Sequence, residues 1–114
     1  MEVFTIRELV DRLLSGPPFD WPEGPYVDMA EWERSPETAR LYVFDVEEYE
    51  EAGGMDRAAN APFVASSRGL RSLLVMSDLS GVIDAALHQD PNASLRELIE
   101  AIDYYREYDS FKPA

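Results

Sequence analysis

Five carboxylates crowd into the seven residues Asp45-Val46-Glu47-Glu48-Tyr49-Glu50-Glu51, the densest run of ionisable side chains in the chain. Oxygen ligands at that density suit a hard divalent cation, which a calcium loop holds at alternating positions around a glycine bend. Here they come as the pairs Glu47-Glu48 and Glu50-Glu51, with Gly53-Gly54 following rather than interrupting them. The run therefore reads as a solvated acidic face, and no metal site is expected. His88 is the sole histidine, so a Ser–His–Asp arrangement would have to use it. It stands beside Gln89-Asp90-Pro91, at an expected helix end where the dipole favours a cation and solvent reaches it. Two carboxyls about 5–10 Å apart could cleave a glycoside, but among 23 acidic residues some pair always meets that distance. Ser80-Gly81 and Ser67-Arg68-Gly69 match neither a nucleophile elbow nor a phosphate loop. No catalytic residue and no cofactor is expected, and the chain reads as a binding protein rather than an enzyme.

What remains is charge. The 114 residues carry 23 acids against 10 bases, a net −13. A pI near 4.2 argues against direct binding to nucleic acid, whose phosphates need Lys and Arg, and against an anionic membrane surface. The chain has no cysteine, which fits a reducing compartment. Its first residues lack the basic start and apolar run of a secretory signal, so a cytoplasmic location is expected. The imbalance is local: residues 1–65 hold −10 of the charge and residues 66–114 only −3. Trp21, Tyr26, Trp32 and Tyr49 interleave with those acids. Such a surface suits a basic protein partner, because opposite charge speeds encounter while buried aromatics hold the complex. The alternative is a generic acidic surface over core aromatics. The candidate contacts are Trp21, Trp32, Glu47, Glu48, Tyr49, Glu50 and Glu51.

The elements that must position these residues read unevenly. Thr5-Ile6-Arg7-Glu8 is a capping box, flanked by the hydrophobic staple Phe4/Leu9. Ile6, Leu9, Val10, Leu13 and Leu14 continue at helical spacing until Ser15-Gly16-Pro17-Pro18. Residues 15–25 form a Pro-rich loop in which Phe19 and Trp21 serve as core plugs or, for Trp21, as an interface anchor. Tyr26–Met29 reads as a short strand. Arg40–Val46 is the strongest strand, apolar on both faces and so expected in the middle of a sheet. Pro62 opens a short helix that Gly69 ends, and Leu70–Met76 reads as another strand. Ser77 or Asp78 is placed to cap a helix carrying Leu79, Val82, Ile83, Ala86 and Leu87, which His88–Asn92 interrupts. Ser94-Leu95-Arg96-Glu97 is a second capping box, opening a helix with the stripe Leu95, Leu98, Ile99, Ile102 and Tyr105. Phe111 is expected to dock back. The order predicts one α+β domain over residues 1–114: a small antiparallel or mixed sheet of about three strands packed with amphipathic helices.

The segment from Pro91 to Phe111, Pro-Asn-Ala-Ser-Leu-Arg-Glu-Leu-Ile-Glu-Ala-Ile-Asp-Tyr-Tyr-Arg-Glu-Tyr-Asp-Ser-Phe, resembles the end of an uncharacterised family of small acidic bacterial proteins. With the preceding Leu70–Leu87, the resemblance covers about 45 of the 114 residues; neither the Trp loop nor the acidic run belongs to it. Proteins of that kind resemble the immunity partners of polymorphic bacterial toxins. The resemblance implies an antitoxin that neutralises a cognate toxin domain, and carries over no catalytic residue. An adaptor or regulatory subunit without a toxin is the alternative, with a carboxylate- or metal-dependent hydrolase as a third class.

Overall fold

The computed structural model describes residues 1–19 and 23–113. Along the chain run β1 (Glu2–Phe4), α1 (Ile6–Ser15), β2 (Tyr26–Val27), α2 (Met29–Arg34), β3 (Leu41–Val43), α3 (Val46–Glu51), β4 (Met55–Asp56), β5 (Ala61–Pro62), α4 (Phe63–Ser66), β6 (Arg71–Ser72), α5 (Met76–Gln89) and α6 (Leu95–Tyr108). The fold is α+β, with more strands than expected. Four form an antiparallel sheet in the order β1-β3-β2-β6, and β4-β5 make a separate hairpin.

Strand alternation divides the interior in two. One cross-strand row is Val3, Tyr42, Tyr26 and Ser72; the next is Phe4, Leu41, Val27 and Arg71. Leu41, Val43 and Val27 face the main core, where they meet Ile6, Leu9, Trp32, Leu79, Ile83 and Ile102 from the helices. Tyr26, Phe44 and Tyr42 face a smaller cluster with Val64, Ala65 and Leu70. The chain at 41–44 is thus covered on both faces, one by each cluster, as its pattern requires, and β3 lies between β1 and β2 within the sheet. Burying a large aliphatic side chain contributes about 1.5–3 kcal/mol, so the main cluster carries most of the stability and the smaller one pins a lobe of α3, the hairpin and α4.

Both predicted capping boxes are formed. The Thr5 hydroxyl accepts from the Glu8 N–H at 3.3 Å while Glu8 accepts from the Thr5 N–H at 2.9 Å. Those bonds to Thr5 hold the Glu8 carboxyl below its ordinary range. Ser94 and Glu97 repeat the exchange at 3.2 Å in both directions. The tail docks, with the Phe111 ring 5.5 Å from Tyr105 and against Gly81 of α5.

Five expectations change. The strand read from Tyr26 to Met29 stops at Val27, because Asp28 accepts from the Glu31 N–H and caps α2. The strand read from Arg40 to Val46 stops at Val43, because Asp45 caps α3. That read over Leu70–Met76 shrinks to Arg71–Ser72, and α5 starts at Met76 with Val75 as its uncapped first residue, ahead of Ser77 and Asp78. Its other end continues through His88 to Gln89. Burial of Met76 against the main core draws the helix one turn earlier than its polar residues suggest.

Candidate functional site: the acidic face of α3

The carboxylate run folds as a six-residue helix, which the sequence signals through Asp45-x-x-Glu48. The Asp45 carboxylate accepts from the Glu48 N–H at 2.8 Å, and Glu48 accepts from the Asp45 N–H at 3.3 Å. Glu48 also pairs with the α-amino group of Met1, and this hydrogen bond holds the amine above its usual pKa. Two of the five carboxylates therefore fasten the helix in place.

The other three do not. Glu47, Glu50 and Glu51 are exposed and make no ion pair among the described residues. Their i, i+3, i+4 spacing puts them on one face of α3, where like charges at neighbouring positions destabilise a helix by about 0.2–0.5 kcal/mol per pair. Glu50 and Glu51 stand in the last turn, where the helix dipole disfavours a negative charge, and no basic residue offsets them. Local stability does not explain three carboxylates in these positions.

The chain leaves α3 through Gly53 and Gly54, both at positive φ (+103° and +75°). Tyr49 is half-buried against this turn: its ring lies within 3.9 Å of where a Gly54 β-carbon would stand, and its carbonyl accepts from the Gly54 N–H at 3.0 Å. Phe63, 39% exposed, covers Gly53 on the other side, and Met55 and Val46 of the same lobe are each 45% exposed. Apolar side chains thus stand open on the lobe that carries the acids.

The chain matches a family described as a domain of unknown function, DUF7716, over residues 5–113. It belongs to that family. No curated protein and no solved structure matches it. The family's matched span contains α3, the glycine turn and both capping boxes, and its description assigns no activity.

Within this family member the expected contacts separate. Glu47, Glu50 and Glu51 come together on an exposed face, while Tyr49 lies on the opposite, half-buried side of the helix against the glycine turn. Glu48 lies in the same helix but is engaged by the fold. Trp32 is corrected: it is 1% exposed in the main core, and its indole N–H donates to Asp103 Oδ1 at 2.8 Å. A surface contact is closed to it, because leaving that pocket would strand the Asp103 bond and open a cavity. Trp21 lies outside the described residues. Phe19 is the half-buried plug expected of it, edge-on to Phe4 at 5.9 Å and under the Arg12 guanidinium at 4.3 Å. Phe63 and Met55 were not singled out from sequence, since a lone apolar residue beside a turn carries no periodic signal.

His88 is exposed in the last turn of α5. Among the described residues no three of His, Asp and Glu are grouped to hold a metal, and no helix is long and apolar enough to cross a membrane.

Proposed function

We propose that this protein is an immunity-type inhibitor, which binds a basic toxin domain in the cytoplasm and neutralises it through the acidic face of α3. The observation that carries the reading is the placement of Glu47, Glu50 and Glu51: three carboxylates on one helix face, against their mutual repulsion and, for Glu50 and Glu51, against the helix dipole, with no ion-pair partner among the described residues. A cationic protein surface would relieve both penalties. Phe63, 39% exposed on the same lobe, would supply the apolar contact that charge alone lacks, since steering sets the association rate and buried anchors set the lifetime. The choice of a toxin rather than another basic protein rests on the resemblance of the segment 91–111 to the end of a family of small acidic bacterial proteins that are themselves similar to immunity proteins.

The test begins by identifying the protein that co-purifies stoichiometrically from the native cell. Glu47→Lys, Glu50→Lys and Glu51→Lys are then combined, leaving Glu48 in its cap. The triple variant is expected to stay folded, to associate at least about tenfold more slowly at low salt, and to lose most of its salt dependence. Unchanged association overturns the acidic-face reading. A partner that is not toxic when expressed alone replaces the inhibitor with an adaptor.

A further inference from the structure

On the other side of the hairpin lies a cleft unlike the rest of this acidic molecule. It encloses about 450 Å³ between the loop before β2, the β4-β5 hairpin, β6 and the end of α6. Its polar lining is Arg71, Arg106, Ser72, Asn60, Tyr26 and Glu23, and its walls include Met29, Met55, Pro62 and Val75. Two of the chain's 10 basic residues thus meet in one concavity of a protein with net charge −13.

These groups are held in place but left open on the cleft side. Arg106 Nε donates to the Leu73 carbonyl at 3.0 Å and one terminal nitrogen contacts Met29 Sδ at 3.3 Å; it forms no ion pair among the described residues. The Arg71 guanidinium has neither a hydrogen bond nor an ion pair among them, although the sheet fixes its backbone opposite Val27. Tyr26 is 2% exposed and lines the cleft. Burial, with Glu23 and Tyr49 nearby, pushes this phenol up to about 12, so it stays a donor across the physiological range. Gly24, at φ +101°, lets the chain turn directly over that ring: a β-carbon there would stand 3.2 Å from it. The Leu73 N–H donates to the Pro25 carbonyl at 2.9 Å, which ties the chain after β6 to the loop before β2.

An oxyanion is the group that two guanidiniums, a phenol, an amide and a hydroxyl can all serve, since planar guanidinium forks match carboxylate or phosphate oxygens. The lining decides between them: Met29, Met55 and Val75 offer inorganic phosphate nothing to bury, whereas a carboxylate can carry an apolar body against them. The apolar walls then ask for a hydrophobic body behind the charge, and the volume lies within the range of small-molecule sites. We propose that this cleft binds a carboxylate carried on an apolar body of arylalkanoate size, with Arg71 and Arg106 on the carboxylate and Met29, Met55 and Val75 along the body. The site is separate from the α3 face, and its failure would leave the inhibitor reading standing.

The full-length chain, ¹⁵N-labelled, is titrated with 3-phenylpropanoate, with its neutral amide, and with inorganic phosphate at matched ionic strength. Saturable amide shifts at Asn60, Ser72 and Met55 are expected, with a dissociation constant on the order of millimolar for a ligand this small. Arg71→Gln, which removes no side-chain hydrogen bond or ion pair among the described residues, should weaken binding about tenfold or more. Arg106→Gln should do the same if its spectrum shows the fold retained, and Tyr26→Phe should weaken it severalfold. The peptide Gly-Gly-Gly-Phe separates the two sources of the group: tighter binding than 3-phenylpropanoate assigns a peptide carboxyl terminus, weaker binding a free acid. Equal binding of the amide, tighter binding of phosphate, unchanged affinity in Arg71→Gln, or no saturation up to about 10 mM would overturn the site.

Discussion

Helices α3 and α6 are both lined with acid, and they use it in opposite ways. On α6 three of the four carboxylates are engaged, each by a different group: Glu97 closes the capping box with Ser94, Glu100 pairs with Lys112 at 3.5 Å, and Asp103 accepts from the Trp32 indole, while Glu107 alone faces water. Four buried residues anchor that helix to the main core. On α3 only the cap and the Met1 amine use the acids, no residue of the helix is buried, and Glu47, Glu50 and Glu51 face water together. The first arrangement stabilises the fold. The second weakens its own helix slightly and leaves a coherent negative face, which is what separates a structural carboxylate from one available to a partner.

The contrast breaks first at Asp103. If the acid on α6 is structural through Trp32, Trp32→Ala should destabilise the protein by about 3–5 kcal/mol in a urea titration, from the cavity and the lost anchor together. A loss below about 1 kcal/mol would mean that α6 is not held this way. Next in size are the two caps. Ser94→Ala should lower global stability by about 1 kcal/mol. Asp45→Ala removes a cap of the same kind, but hydrogen exchange should show faster opening of α3 and the adjoining turn with α5 and α6 still protected. Equal loss of protection in both regions would make the lobe and the body one cooperative unit. The smallest effect has the opposite sign: Glu50→Gln with Glu51→Gln relieves repulsion and the dipole, and should raise stability by up to about 0.5 kcal/mol. A net destabilisation would give those two carboxylates a structural role.

Legibility in the sequence followed the length of each signal. The caps at Thr5 and Ser94 head helices of 10 and 14 residues whose apolar stripes repeat several times, so cap and stripe confirm each other. The two-faced pattern at 41–44 identified an inner strand because alternation there leaves no wet side. β2, β4, β5 and β6 are two residues each, too short for any period to register; only pairing with distant partners makes them strands. α2 and α3 did carry a local signal, in Asp28-x-x-Glu31 and Asp45-x-x-Glu48, which aromatic and acidic neighbours obscured by suggesting strand and charge run. Trp32 was misread for a related reason. A tryptophan among acids suits an interface and a core equally, and its polar neighbours reveal nothing about Asp103, 71 residues away.

Composition and short-range pattern alone determined the acidic character, its concentration before residue 66, the two long capped helices and the α+β class, because each depends on residue type and near neighbours. Tertiary structure alone decided which acids are free. Whether a carboxylate caps a helix, meets a lysine, holds an indole or faces water depends on groups far along the chain. It was the folding of one run into one short helix that turned five clustered carboxylates into two that hold the structure and three that face outward.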